Sequence, residues 1–387
     1  MLEKLTLHNF KSHKSTELNF DSSRLHGLVG KNSAGKTSVL QALHYLSSLT
    51  GQNSSFARIF QYERSPNFIT TVGKTDMSVT ASGFWGYNNR QNWQASYIWK
   101  KDNNNSLLQD NYNYWHPTGS WKLYGNENYV EGLLSSLSDS PNAILSSLKY
   151  AVYLKLVASN LAKPAYSNEV TPRVEFDGSG LAPTLDFLRG EAPDKFHLIE
   201  DKLRRIVPNV HKIGIKRAKV PVIRQRLIEV DGKSISYDET QEMTGQEVVL
   251  DMNTGERIPA HAISEGTMLT LGLLTVLMNP NQPNLVLLDD IEQGLHPQAQ
   301  RQLMTVFKEI IAENANLQII FSTHSPYIID ELVPSQVHIL NNSNSGFTIA
   351  KRLDEHPDVE WAKETLTTGE FWDAEGEDWV VAGEVSG

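Results

Sequence analysis

The chain has 387 residues and no cysteine, with 35 basic and 45 acidic residues and a formal net charge of −10. Lack of cysteine excludes a disulfide framework, a thiolate metal site and a cysteine nucleophile, and the acidic balance argues against non-specific coating of nucleic acid. A hydrophobic share of 40% and a charged share of 21% describe a globular chain with a full core, as one large domain or two ordinary ones.

Residues 1–6 lack the apolar core of a signal peptide. The alternation of Leu5, Leu7 and Phe10 predicts a half-buried strand. Residues 24–29 predict a short buried strand, and residues 38–46 are apolar at helical spacing. Between them lies Gly30-Lys31-Asn32-Ser33-Ala34-Gly35-Lys36-Thr37, which fits the phosphate-loop pattern G-x-x-x-x-G-K-[ST]. Strand, glycine-bounded loop and helix start together make an anion nest of backbone N–H groups at a positive helix end, extending into Ser38. In such a loop Lys36 reaches the β- and γ-phosphates and the Thr37 hydroxyl ligates Mg²⁺.

From 70 to 124, short alternating segments broken by Asn-rich turns such as Asn103-Asn104-Asn105 predict an antiparallel meander. Five of the eight tryptophans lie here: Trp85, Trp93, Trp99, Trp115 and Trp121. They either fill a small β-subdomain or, beside Arg90, Lys100, Lys101 and Lys122, stack on bases. Residues 133–161 and 181–207 read as helical, with Pro183 in a first turn and Pro208 past the end. Phe196, Ile199, Leu203 and Ile206 mark the inner face of the second; Lys195, Lys202, Arg204 and Arg205 are assigned to its outer face. Residues 212–226 carry Lys216, Arg217, Lys219, Arg224 and Arg226, the most basic stretch of the chain and the place to look for a nucleic-acid or partner surface. Residues 232–256 read as hairpins bracketed by Asp231-Gly232 and Thr254-Gly255.

Further on, Ser264-Glu265-Gly266-Thr267 opens a helix over 268–278 and makes a second anion nest. The run 271–278 is too short to span a bilayer. Asn284 to Asp290 is a buried apolar run ending in two carboxylates, the pattern of a parallel strand. If it shares a sheet with the strand before the loop, Asp289 holds Mg²⁺ there, and Asp290 or Glu292 polarises the attacking water. Residues 317–326 form a further strand ending in Ser322-Thr323-His324-Ser325-Pro326. The tail from Gly369 to Val381 alternates acids with large aromatics, either packed on its own head or forming a docking strip.

Taken together these stretches resemble the ABC-type ATPase heads of the SMC/RecF/OLD superfamily. Residues 7–12 are similar to their opening strand, 30–37 to Walker A, 264–267 to the signature motif and 285–290 to Walker B. Residues 294–297 are similar to the D-loop and 322–326 to the H-loop. The resemblance implies an α/β fold of P-loop NTPase type. Its parts are a mixed or parallel sheet core, an antiparallel β-subdomain and a helical insertion. The expected division is 1–130, 131–210, 211–350 and a tail at 351–387. It implies ATP and Mg²⁺ as cofactors, and a homodimer or higher homo-oligomer in which Ser264 and Gly266 of one copy complete the ATP site of the other. His324 then donates to the γ-phosphate. The usual catalytic Glu is Asp290 here, one methylene shorter, so the expected hydrolysis is slow. Among Gln61, Gln91 and Gln94 no Q-loop residue is singled out. Without sustained heptads this is not a long-armed SMC protein. With 63 residues after His324, a Toprim nuclease is not expected. Compact heads of this kind resemble ATPase subunits of Septu- and PARIS-type anti-phage systems, which implies a cytoplasmic sensor controlling a separate nuclease or toxin. The alternatives are a RecF-like clamp with DNA as partner, and an assembly factor that barely turns ATP over.

Overall fold

The computed structural model describes residues 1–49, 65–85, 91–101, 115–124, 129–133, 148, 151–230, 233–280 and 283–382. Gln61, the turns expected at 51–55, 103–105 and 231–232, and the side chain of Trp115 lie outside what it describes. The chain forms two compact units. One comprises 1–153, 283–292 and 307–387; the other comprises 154–282 and 293–306. No described helix is long and apolar enough to cross a membrane.

In the first unit, β1 (Leu2–Phe10) and β2 (His13–Asn19) form a hairpin, and β3 (Leu25–Val29) runs into the glycine loop and helix α1 (Lys36–Ser48). The meander follows as β4 (Asp76–Trp85), β5 (Gln91–Lys101), β6 (Trp115–Tyr124) and β7 (Tyr129–Leu133). These strands join the first hairpin in one antiparallel sheet, order β2-β1-β4-β5-β6-β7. Trp93, Trp99 and Trp121 are buried, so they fill this subdomain and do not offer base-stacking faces. Residues 151–154 form strand β8, not helix.

The second unit begins with α2 (Ala158–Leu161), α3 (Leu181–Glu191) and α4 (Pro193–Ile206). The helix expected over 181–207 is thus two, because Pro193 restarts the chain after Ala192 leaves helical geometry. Lys202 is buried rather than on the outer face. Next, β9 (Val210–Val230) and β10 (Lys233–Met252) pair in one register from Ile213 opposite Leu250 to Val230 opposite Lys233, and β11 (Arg257–Pro259) adds to β10. At about 3.4 Å per residue this ribbon is roughly 65 Å long. Its base is held by Ile213, Val248, Val249 and Leu250, whereas no residue of 214–226 or 236–244 is buried. Helix α5 (Glu265–Leu277) packs on α2, α3 and α4, and all of 266–277 is buried.

The basic stretch lies on β9, and three of its residues reach acids on β10. Lys216 pairs with Glu247, Lys219 with Glu242 and Arg226 with Glu239, at 3.2, 2.6 and 2.9 Å. Three of the five cations named for the expected nucleic-acid surface thus pair with acids of the neighbouring strand. Pro221 sits on this edge strand, where a residue without N–H blunts edge-to-edge pairing.

The chain then supplies β12 (Leu285–Leu288), α6 (Pro297–Glu313), β13 (Gln318–Ser322), α7 (Pro326–Ile329), β14 (Val337–Asn342) and β15 (Thr348–Arg352). The second sheet has the order β15-β14-β3-β13-β12-β8, and β14, β3, β13 and β12 run parallel. Helix α1 packs against strands of both sheets in its unit. That is why Val39, Leu40, Ala42, Leu43, Tyr45 and Leu46 are buried around most of its circumference. The tail folds as α8 (Val359–Thr365) and α9 (Thr368–Glu375). A capping box between Thr367 and Glu370 starts α9, and a Cβ on Gly369 would meet the Pro326 carbonyl of α7 at 2.2 Å. Phe371, Trp372 and Val380 are buried, and the half-buried Trp379 ring packs edge-on against His356 at 4.9 Å, so this part of the tail packs on its own unit.

Candidate active site

The glycine loop is shaped by contacts that only glycine permits. Gly30 has φ +145°, and a Cβ there would meet the Leu340 carbonyl at 2.1 Å. Gly35 has φ +93°, and its Cβ would meet His13 Nε2 and Thr348 Oγ1, both at 2.7 Å. Ser33 is also left-handed, φ 66°, and its carbonyl accepts from Asn342 Nδ2 at 3.3 Å. Helix α1 begins at Gly35 with no side-chain cap and no acid in its first turn. Its leading N–H groups and its dipole are thus left for an anion. Lys36 Nζ donates to the carbonyls of Gly30 and Lys31 at 2.8 and 3.2 Å. Burial lowers the Lys36 pKa, and the nearby carboxylates of Asp290, Asp289 and Glu292 oppose that shift.

Parallel pairing brings the second carboxylate group to this loop. β13 lies between β3 and β12, so Asp289 emerges two strands from Val29. Thr37 Oγ1 donates to Asp289 at 3.1 Å (Oδ1) and 3.0 Å (Oδ2), across 252 positions of sequence. Hydroxyl and carboxylate oxygens are the hard donors that Mg²⁺ takes, with water and phosphate filling its other positions. The pair therefore fits that ion.

Asp290 turns out of the strand with φ 55°. It lines a cavity of about 230 Å³ together with Ser12, Asn32, Ser33, Ala34, Gly35, Lys36, Thr37, Ser38 and His324. Glu292 is used differently: its Oε1 accepts the His324 N–H at 2.8 Å. Ser264 and Gly266 belong to the second unit. Ser264 is exposed at the start of α5, its hydroxyl 2.7 Å from that of Thr267. A Cβ on Gly266 would meet the Gly294 carbonyl at 2.3 Å, so these two segments are in backbone contact.

Sequence reasoning gave His13 and Asp378 no role at the site, and it placed Ser322 only within the stretch 322–326. His13 is buried, with Nε2 3.1 Å from the Gly35 carbonyl and Nδ1 3.0 Å from Thr16 Oγ1. Burial pushes its pKa down to about 4, the Gly35 contact opposing, so it is neutral at physiological pH. Asp378 pairs with Lys31 of the loop at 2.9 Å. No spacing in the sequence marks the His13–Gly35 and Lys31–Asp378 contacts, which join residues far apart along the chain. Gln94 lies on β5 and its Oε1 accepts from the Tyr124 hydroxyl at 3.0 Å; Gln91 opens the same strand.

A protein family described as "AAA domain, putative AbiEii toxin, Type IV TA system" matches residues 25–330. The chain belongs to this family. It is an ATPase, and it binds nucleotide. A retron Vc95 probable ATPase of Vibrio cholerae is 27% identical over 141 residues, 33% of this chain and 27% of that protein. The chain thus spans little more than a quarter of the Vibrio relative's length. An ATP/GTP phosphatase of Helicobacter pylori is 23% identical over 348 residues, 86% of this chain and 87% of that one. Among solved structures, the SMC head domain from Thermotoga maritima aligns with TM-score 0.47 and 13% identity, over 91% of this chain and 98% of that one. An Smc head bound to the C-winged helix domain of ScpA aligns with TM-score 0.49 and 14% identity, over 92% and 98%.

Proposed function

We propose that this ATPase binds Mg²⁺–ATP on residues 30–38, hydrolyses it slowly, and pairs with a second copy around the nucleotide. Through that pairing it controls a separate effector, a nuclease or toxin, in cytoplasmic anti-phage defence. The observation that carries the nucleotide reading is the Thr37–Asp289 hydrogen bond. It joins the end of the phosphate loop to the end of a parallel strand, with Lys36 alongside.

Within that reading Lys36 holds the β- and γ-phosphates, and Thr37 with Asp289 holds Mg²⁺. The ion supplies charge neutralisation on the phosphate oxygens. Asp290 is the base that orients and deprotonates the attacking water, because it faces the cavity while Glu292 is engaged with the His324 backbone. His324, exposed at the same cavity, donates to the γ-phosphate. Ser264 and the α5 N-terminus of the second copy would complete the anion site, which accords with an exposed serine and a helix start without a side-chain cap. The defence role draws on likeness to a retron ATPase and on a family named for a toxin system. A DNA-clamp reading is weakened by the ion pairs that occupy Lys216, Lys219 and Arg226.

Calorimetry with ATP and Mg²⁺ tests the site. The parent should bind and Lys36→Ala should not, because the substitution removes the charge partner of the phosphates. Undiminished binding by Lys36→Ala would end the reading. A turnover of hundreds per second would refute slow hydrolysis. Co-expression with neighbouring genes should recover an effector bound to this ATPase.

A further inference from the structure

β13 ends on Ser322, in the strand between β3 and β12. Its side chain is 0% exposed, and its hydroxyl stands where three groups meet. Ser322 Oγ donates to Asp289 Oδ1 at 2.6 Å. The same oxygen accepts the Asp290 N–H at 2.9 Å and lies 3.4 Å from Asp290 Oδ1. A hydroxyl has one proton. The short, charge-assisted contact to Asp289 takes it, which leaves the lone pairs for the Asp290 amide.

Two consequences follow. Thr37 also bonds Asp289, but a threonine hydroxyl that ligates a cation turns its lone pair to the ion. Ser322 still donates to Asp289 then and helps to fix the plane of its carboxylate. Asp290, meanwhile, adopts a left-handed backbone at the strand end, a conformation that L-residues disfavour. The Ser322 oxygen gives its amide a buried acceptor there, and the Ile291 N–H is held in turn by the Ser322 carbonyl at 3.3 Å. One short side chain thus sets both the carboxylate beside Thr37 and the turn that aims Asp290 into the cavity.

We infer that Ser322 is a positioning residue that couples the metal-holding carboxylate to the water-activating one. This rests on the reading of Asp289 as a ligand of Mg²⁺. A buried serine that merely satisfied its own polarity would be replaceable by alanine without effect on metal binding.

Mn²⁺ binding in the presence of a non-hydrolysable ATP analogue, followed by electron paramagnetic resonance, separates these accounts. Partners that orient a metal ligand are typically worth about 10- to 100-fold in affinity or activity. Ser322→Ala should therefore weaken Mn²⁺ by at least about tenfold and lower kcat by at least as much. Metal-free nucleotide affinity should be little changed and circular dichroism should show a folded chain, with a lowered melting temperature because the Asp290 N–H loses its buried acceptor. Ser322→Thr, which keeps the donor, should recover most of the Mn²⁺ affinity. Equal Mn²⁺ affinity in parent and Ser322→Ala would overturn the inference, as would a folded Ser322→Thr with no recovery. Asp289→Ala is the control. If it binds Mn²⁺ as the parent does, the metal reading itself fails and takes this inference with it. If it loses Mn²⁺ while Ser322→Ala does not, only the role of Ser322 falls.

Discussion

Asp290 holds a backbone conformation that few side chains accept, at φ 55°. Aspartate and asparagine enter this region several-fold more readily than most residues. The position therefore favours a short polar side chain on backbone grounds as well as chemical ones, and a longer glutamate arm would come with a less tolerant backbone. Asp290→Asn keeps the backbone tolerance and removes the base. It should melt with the parent and bind ATP, while steady-state hydrolysis falls by about 10²- to 10⁴-fold, the usual worth of a positioned general base. Asp290→Ala should show the same kinetic loss and, in addition, lower stability by about 1 kcal/mol for the strained turn. Hydrolysis undiminished in Asp290→Asn would move the base elsewhere and would favour an assembly factor that barely uses it.

At the scale of elements, the phosphate loop is braced from several sides. His13 of β2 and Thr348 of β15 crowd Gly35, and the Leu340 carbonyl of β14 crowds Gly30. Three histidines on the neighbouring elements, His13, His26 on β3 and His44 on α1, are pushed by burial from 6.5 to about 4. Above about pH 6.5 each is neutral both folded and unfolded, and pH has no leverage through it. Between about 6.5 and 4 the unfolded chain takes up a proton that the folded one refuses, so stability drops as pH falls. Each histidine contributes a loss on the order of 3 kcal/mol once the pH is below about 4. Denaturant titrations at a series of pH values should show this acid limb. His13→Gln should reduce its slope by about one proton, roughly 1.4 kcal/mol per pH unit. A slope unchanged by that substitution would mean that His13 titrates normally.

For the whole molecule, the decisive question is whether a second copy completes the site. Light scattering should register a doubling of mass when ATP and Mg²⁺ are added to an Asp290→Asn background, which holds the nucleotide uncleaved. Ser264→Arg should leave ATP binding by the single copy intact and abolish that doubling, because a bulky side chain would fill the α5 N-terminus where a second γ-phosphate must sit. Normal ATP-dependent pairing in Ser264→Arg would remove the sandwich.

The residues 30–37, the strand into Asp289 and the antiparallel meander were legible from the sequence, since each is written in local grammar. Glycines sit at fixed offsets, a short apolar run ends in carboxylates, and strands alternate between turns. Local grammar also misled. It read 151–154 as helix and 181–207 as one helix, and it named 212–226 as the place to look for a nucleic-acid or partner surface without showing the acids that pair with Lys216, Lys219 and Arg226. The sequence alone determined that a triphosphate loop and an acidic strand end exist. Tertiary structure decided what they became: Thr37 against Asp289, Ser322 between two carboxylates, Glu292 on the His324 backbone, and three cations of β9 in ion pairs with β10. The physical reason is that hydrogen bonds and ion pairs act over a few ångströms of space, whatever the number of residues between the partners. Only the folding of the sheet brings such partners within reach.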